Sequence, residues 1–349
     1  MVFPAGRLGS AGATKEAAVR VLAIDIGGTG SRASLTGEDQ VTGPGVSVGP
    51  AGIRVAPLLD DLLAGLPAEG VARAETVSVG MSGLLGLTPP DTVLAELRRR
   101  WPHARILLAS DAVTAAAAAL GLDGGAVLAV GTGVVGLATD FHDVWRRADG
   151  WGHLLGDEGG GAWIGLAGLR AAVREHDGRP GGSPVLLDAA TRALGPVGGF
   201  PARLYTRDDR AGVLASFAPA VADAARDGDP IALAIWREAA EALAATAEAL
   251  LAAPVRRRLA VIGGVTGVGA LLLDPLRERL ESRVPDVELV TPAVRPLDGA
   301  LLLAGAGELP SGGHPPYLTI VPADPPTGGR AADTSTPPAP TTPADPAGA

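Results

Sequence analysis

The 349-residue sequence contains no cysteine. That excludes disulfides, thiolate zinc sites, iron–sulfur ligation and a cysteine nucleophile together. Lysine is nearly as scarce, with Lys15 the only one in the chain. A Walker A lysine, a protein-kinase strand lysine and a Schiff-base lysine each need an ammonium group at the site, so those three chemistries are excluded as well. Asparagine is absent altogether. No apolar run of membrane length is free of charge; Ile231 to Ala253 comes nearest and carries Arg237, Glu238, Glu241 and Glu248. The N-terminal leader lacks the apolar core of a signal peptide, and a soluble, cytoplasmic protein is expected. A net charge of -9 without any basic run argues against a nucleic-acid surface. The five histidines are too scattered for a metal cluster.

What the chain does have is alanine, glycine, proline and arginine in excess. We read this as the mark of a GC-rich genome, so the alanine runs carry little functional information. The length suits two domains plus tails. The organising stretch is Val19 to Leu35. Val21 to Ile26 is a β-branched apolar strand and Ser31 to Leu35 a second one. Between them, Gly27, Gly28, Thr29 and Gly30 form a turn whose amides can approach a ligand with no Cβ in the way. Asp25 ends the first strand facing that turn. A carboxylate beside a ring of amide donors suits a hydrated magnesium ion held against phosphate oxygens. An ordinary glycine-rich hairpin would read the same way in isolation. A second copy favours function: the strand Ala126 to Val130 runs into Gly131, Thr132 and Gly133 and then into another apolar run, Val134 to Ala138.

In chain order, residues 1–18 are expected to be a disordered leader. The first lobe, 19–121, reads β-β-β-α-β-α-β-α: the opening strand pair, Gln40 to Val48, a helix over Arg54 to Leu66, the strand Thr76 to Met81, a helix over Pro90 to Arg100, the strand Arg105 to Ala109 and a helix over Ala112 to Leu120. Such an α/β layer gathers its strand ends on one edge, the usual place for a ligand. The second lobe, 122–308, repeats the opening. It continues through Asp149-Gly-Trp-Gly-His-Leu-Leu-Gly-Asp-Glu-Gly-Gly-Gly-Ala-Trp163 into a series of helices, then the strand Arg258 to Ile262, the helix Ala270 to Ser282, the strand Val287 to Val290 and a closing helix over Leu297 to Ala306. Residues 309–349 are rich in Pro, Ala and Thr and are expected to be a disordered tail.

Four features carry chemistry. Gly131 to Gly136 matches the dinucleotide fingerprint and Gly28 to Ala33 its looser form, but both lead into strands where that fingerprint needs a helix. Nicotinamide binding is therefore disfavoured. Asp111 follows a buried strand and starts a helix; it suits a general base, and equally an N-cap, and one carboxylate can serve both. In the loop Gly150 to Gly161, Asp157 and Glu158 are acceptors suited to polyol hydroxyls and Trp151 to stacking on a sugar face. The plainer alternative makes Trp151 and Trp163 core residues and starts the next helix at Asp157-Glu158. His153 reads as a structural hydrogen-bonder. Gly263-Gly264 would let a flat ring approach the backbone, or would simply turn strand into helix.

These segments together resemble the actin-like sugar kinase and ATPase superfamily, and more narrowly the BadF/BadG/BcrA/BcrD ATPase family with its N-acetylglucosamine kinases. The resemblance spans Val19 to Gly307 and rests on A-I-D-I-G-G-T-G-S-R from Ala23, M-S-G from Met81, S-D-A from Ser110, V-G-T-G from Val130 with G-W-G-H-L-L-G-D-E-G from Gly150, and V-I-G-G-V from Val261. It implies two actin-like, ribonuclease H-like lobes with ATP and a sugar in the cleft between them. Gly27 to Gly30 and Gly131 to Gly133 would hold the phosphates, Asp25 a Mg2+ ion through water, and Gly263-Gly264 the adenosine. Asp111 would deprotonate the acceptor hydroxyl, the sugar 6-OH. Ser82, Gly83, Trp151, Gly152 and Asp157 would line the sugar site, and lobe closure would exclude water. The chain departs from its relatives at the sugar. N-acetylglucosamine kinases typically present Asn side chains to it, whereas the matching regions here, Val48 to Gly52 and Val134-Val135, have none. Another amino sugar or hexose therefore stays open, as does a homodimer. The family's other role, activating a radical acyl-CoA dehydratase, needs cluster-ligating thiolates and is rejected. An ATP-binding regulator or ATPase without sugar transfer is the alternative.

Overall fold

The computed structural model describes residues 19–323 except 29, 47, 50, 51, 208 and 308, so the expected leader, Thr29 and residues 324–349 lie outside it. The first sheet uses β1 (Val21–Ile26), β2 (Gly30–Leu35) and β3 (Val41–Pro44). A separate small hairpin follows, β4 (Val48–Gly49) against β5 (Gly52–Ile53). Then come α1 (Val55–Leu63), α2 (Ala68–Ala72), β6 (Thr76–Met81), α3 (Pro90–Arg100), β7 (Arg105–Ser110) and α4 (Asp111–Leu120). The stripe Val55, Leu58, Leu59, Leu62 and Leu63 makes α1 amphipathic, and all five are buried. β1 pairs antiparallel with β2 and β2 with β3, while β1, β6 and β7 run parallel.

The second lobe repeats this order. β8 (Gly125–Val130), β9 (Val134–Thr139) and β10 (Trp145–Asp149) form the meander. Next come α5 (Gly161–His176), α6 (Pro184–Leu194), α7 (Phe200–Tyr205), α8 (Arg210–Ala215), α9 (Ala218–Arg226) and α10 (Pro230–Leu251), then β11 (Arg258–Ile262), α11 (Ala270–Arg283), β12 (Glu288–Val290) and α12 (Pro296–Gly305). The sheet order β10-β9-β8-β11-β12 mirrors β3-β2-β1-β6-β7 strand for strand. This is the expected α/β pair of lobes. The sequence reading lacked β10, because Trp145-Arg146-Arg147-Ala148-Asp149 has neither an apolar run nor a polar–apolar alternation; it is partly exposed throughout.

Two expectations about the C-terminal part are corrected. The closing helix α12 was assigned to the second lobe but packs on α4, β1 and β6 of the first, where Leu297 and Ala300 cluster with Ala23. Nor does disorder begin at residue 309. β13 (Gly313–His314) and β14 (Leu318–Val321) are ordered, and β14 pairs antiparallel with β7, widening the first sheet to seven strands. A four-residue apolar strand between prolines and glycines is too short to stand out in composition, but a free sheet edge at β7 gives it backbone partners.

Helix α4 lies between the two sheets, with Ala112, Val113, Ala115, Ala116, Ala117 and Leu120 packed against residues of both. Its alanines therefore have a packing role that composition did not reveal: they let α12 approach closely. A Cβ on Gly299 of α12 would stand 1.9 Å from the Thr114 carbonyl oxygen. Gly299→Ala gains about 1 kcal/mol of helix propensity, but overpacking against rigid backbone costs about 3 kcal/mol. The clash wins. Urea unfolding should show a net loss of about 2 kcal/mol in Gly299→Ala; unchanged stability would mean that α4 and α12 separate easily.

Candidate active site

Three parallel strands end side by side. In register, Asp25 of β1 lies opposite Gly80 of β6, and Met81 of β6 opposite Ser110 of β7, so Asp25, Ser82 and Asp111 gather at one sheet edge. Asp25 is 3% exposed. Its partner across the hairpin is Arg32, whose Nη1 donates to Oδ2 at the long distance of 3.5 Å. Burial raises the Asp25 carboxyl to about 6; Arg32 pulls it down and the nearby negative charge of Asp111 pushes it up. The two carboxylates thus feel each other across the strand ends.

Asp111 opens α4, and its Oδ1 accepts the Ala112 amide at 2.8 Å. Ser110, the residue before the helix, makes no side-chain cap bond, and its hydroxyl is buried without a partner. Burial raises the Asp111 carboxyl, opposed by the Ser82 hydroxyl, the Ala112 amide and the positive charge of Arg147. Asp111 therefore both accepts an amide at the start of α4 and carries a carboxyl raised by burial. Gly80 makes the placement feasible: a Cβ there would meet Thr114 of α4 at 2.6 Å.

Each glycine turn has its own fixings. In the first, the Gly27 amide donates to the Gly30 carbonyl at 2.9 Å, and the Ser82 amide donates to Ile26 at 2.8 Å, which ties the turn to the end of β6. Gly28 is exposed and a Cβ there meets nothing. In the second, the Gly131 amide donates to Gly133 at 2.9 Å, while the Gly131 and Thr132 carbonyls accept the first two amides of α5, from Gly161 and Ala162, each at 2.8 Å. Gly263 abuts this turn. Its φ is +104°, and a Cβ would fall 2.5 Å from the Val130 carbonyl oxygen. Glycine is required there by close backbone approach as well as by conformation. Gly264 faces open space.

The loop after β10 is braced by two aspartates. Asp149 Oδ1 accepts the amides of Gly150 and Asp157, both at 2.8 Å, and its Oδ2 accepts Glu158 at 3.2 Å. Asp157, at φ +57°, takes the Gly152 amide at 3.2 Å and also the Val134 amide, so it links the loop to the second glycine turn. Burial and Asp149 raise its carboxyl; the two amides oppose them. Trp151 is 66% exposed, with the Arg147 guanidinium 4.8 Å from its ring centre. Arg147 also donates to the carbonyls of Asp149 and Gly150. Trp163 packs on the second core, so the alternative of two core tryptophans fails for Trp151 alone. Nor does the helix start at Asp157-Glu158: α5 begins at Gly161. His153 has its Nε2 buried without a partner. Gly83, at φ +81°, packs near Ile53 of β5.

Sequence reasoning missed Arg32, Arg147 and Asp149. Arg32 stood in the quoted first motif, and the antiparallel hairpin register places it opposite Asp25. Arg147 was hidden with β10. Among the described residues, no helix is long and apolar enough to cross a membrane, and no three His, Asp or Glu residues group as a metal site.

Comparison with known proteins agrees with this fold. The chain is 25% identical over 308 residues to an N-acetylmuramic acid/N-acetylglucosamine kinase of Clostridium acetobutylicum, covering 81% of this chain and 97% of the relative. A Chromobacterium violaceum structure assigned as an N-acetylglucosamine kinase superposes with a TM-score of 0.63 at 29% identity, over 82% of this chain and 98% of that one. A ROK family glucokinase of Streptomyces griseus, solved with glucose and AMPPNP, shares the fold with a TM-score of 0.54 at 19% identity, with the same coverage of 82% and 98%. Residues 22–304 match the model of the BadF/BadG/BcrA/BcrD ATPase family, and the chain belongs to that family.

Proposed function

We propose that this protein is an ATP-dependent sugar kinase that phosphorylates N-acetylglucosamine or a related amino sugar or hexose at its 6-hydroxyl, with Asp111 as the base. The observation that carries the reading is the convergence of Asp25, near the end of β1, and Asp111, directly after β7, on the two strands that flank β6, close enough for their charges to interact. Asp111 sits where it can take the hydroxyl proton as the sugar oxygen bonds to the γ-phosphorus and the bridging oxygen leaves with ADP. Such transfer asks mainly for position and charge stabilisation. The turns Gly27 to Gly30 and Gly131 to Gly133 bind the phosphates through amides other than those of Gly27 and Gly131, which close the turns themselves, and Gly263-Gly264 border the adenosine.

Magnesium fits the residues present. Asp25 is a buried carboxylate whose side-chain partner among the described residues is a guanidinium at a long 3.5 Å, a hard oxygen donor left poorly satisfied. Bound there, the ion would neutralise phosphate charge. Ser82, Gly83, Trp151, Gly152 and Asp157 border the sugar. With no Asn in the chain, the acetamido group has to be met by main-chain groups or by other polar side chains. The relatives act on small sugars, and a cytoplasmic site of action follows from the ATP requirement. The 6-deoxy analogue of whichever sugar is accepted should support no phosphorylation; phosphorylated product from that analogue would refute the assigned hydroxyl.

A further inference from the structure

The family match ends at residue 304, yet the ordered chain continues and returns to the catalytic edge. β14 pairs with β7 so that Leu318 faces Ala109, and the Tyr317 carbonyl accepts the Ser110 amide at 2.8 Å. Ser110 is the residue before Asp111. On the other side, the rings of this segment meet the second lobe: Trp145 of β10 stacks on His314 at 5.4 Å and 7°, and on Tyr317 at 5.9 Å and 19°. The Trp145 indole is itself fixed, donating to the His142 carbonyl at 2.9 Å and meeting Phe141 edge-on. Along a strand, residues two apart share a face, so Trp145 and Arg147 project to one side of β10, and Arg147 reaches Gly150, Trp151 and the field of Asp111.

We propose that residues 313–321 form an interlobe strap: its main chain holds the residue before the catalytic base, while His314 and Tyr317 clamp Trp145 and thereby set Arg147 and the sugar loop against that base. Trp145, His314 and Tyr317 are positioning residues. They touch no substrate. The strap is anchored to the first lobe by the β14–β7 ladder and meets the second through flat rings, so it constrains distance between lobes while tolerating the small sliding that closure needs.

The strap rests on the kinase reading for its activity test, and a binding-free readout separates the two. Tyr317→Leu and Trp145→Leu should each lower kcat by about 3- to 10-fold, the worth of a stacked aromatic pair, with KM for ATP unchanged. Tyr317→Phe and His314→Phe keep a ring and should restore wild-type kcat. Ending the chain after residue 323 should leave kinetics unchanged, whereas ending it after residue 309 should reproduce or exceed the loss. Hydrogen exchange supplies the second arm: the Ser110 amide should be protected in the full chain and exchange at least tenfold faster in the shorter truncation. If no sugar is ever phosphorylated, the kinase reading falls while the exchange result still decides the strap. Wild-type kcat in both leucine variants, equal impairment in the leucine and phenylalanine variants, or unprotected Ser110 in the full chain would each overturn it.

Discussion

Asp111→Asn should lower kcat for sugar phosphorylation by about 10²- to 10⁴-fold, the usual worth of a positioned base, while KM for ATP changes less than about twofold. Asparagine keeps an oxygen for the Ala112 amide, so the start of α4 survives and the loss reports chemistry. ATP binding depends on the glycine turns, which Asp111 does not touch. The wild-type pH profile provides a companion test. Burial raises the Asp111 carboxyl above its ordinary value, and Ser82, Ala112 and Arg147 only partly oppose this. The acid limb of kcat/KM should therefore fall above the usual aspartate range. Because Asp25 and Asp111 interact, its midpoint belongs to the pair. Turnover near wild type in Asp111→Asn would remove the base from the mechanism.

Asp25→Asn should be nearly inactive and yet more stable than the wild type. Its carboxyl stands at about 6 in the folded chain against an ordinary 3.8, chiefly through burial. An acid raised on folding binds more protons folded than unfolded between those values. Its contribution to stability is thus complete below about pH 4 and lost as pH rises through about 6. Above that pH the ionised group costs up to about 3 kcal/mol. Asparagine removes the charge, so without nucleotide at pH 7.5 the variant should gain about 1–3 kcal/mol, the loosened Arg32 contact offsetting part of it. At pH 4 the gain should vanish. Activity moves the other way, because the same charge is the group proposed to hold magnesium. A variant less stable than wild type at pH 7.5 would show that the Arg32 contact outweighs desolvation.

Much of this arrangement was legible in the sequence, for definite reasons. The strand–glycine–strand hairpins at Asp25 and Gly131 are local, apolar and repeated, so periodicity found both β1–β2 and β8–β9. Asp111 was marked by its place between a buried strand and a helix, and the Gly150 to Gly161 loop by its glycines. Long-range partners were not legible. That Arg32 faces Asp25 depends on hairpin register, and that Arg147 approaches Asp111 depends on an edge strand with no apolar signature. That Asp157 binds the Val134 amide depends on a loop folding back onto a turn more than twenty residues away. The return of α12 and β14 to the first lobe is a matter of topology, which chain order conceals. Gly263 reads as a simple turn until Val130 is seen beside it.

The most direct measurement is ADP release from magnesium-ATP with N-acetylglucosamine, N-acetylmuramic acid, glucosamine, N-acetylmannosamine, glucose or no sugar. Release stimulated well above the blank by at least one sugar, and abolished in Asp111→Asn, is the result expected of a sugar kinase built on these strand ends. ADP release that no sugar changes, or nucleotide binding without any release, would contradict it and leave an ATP-binding regulator on the same fold.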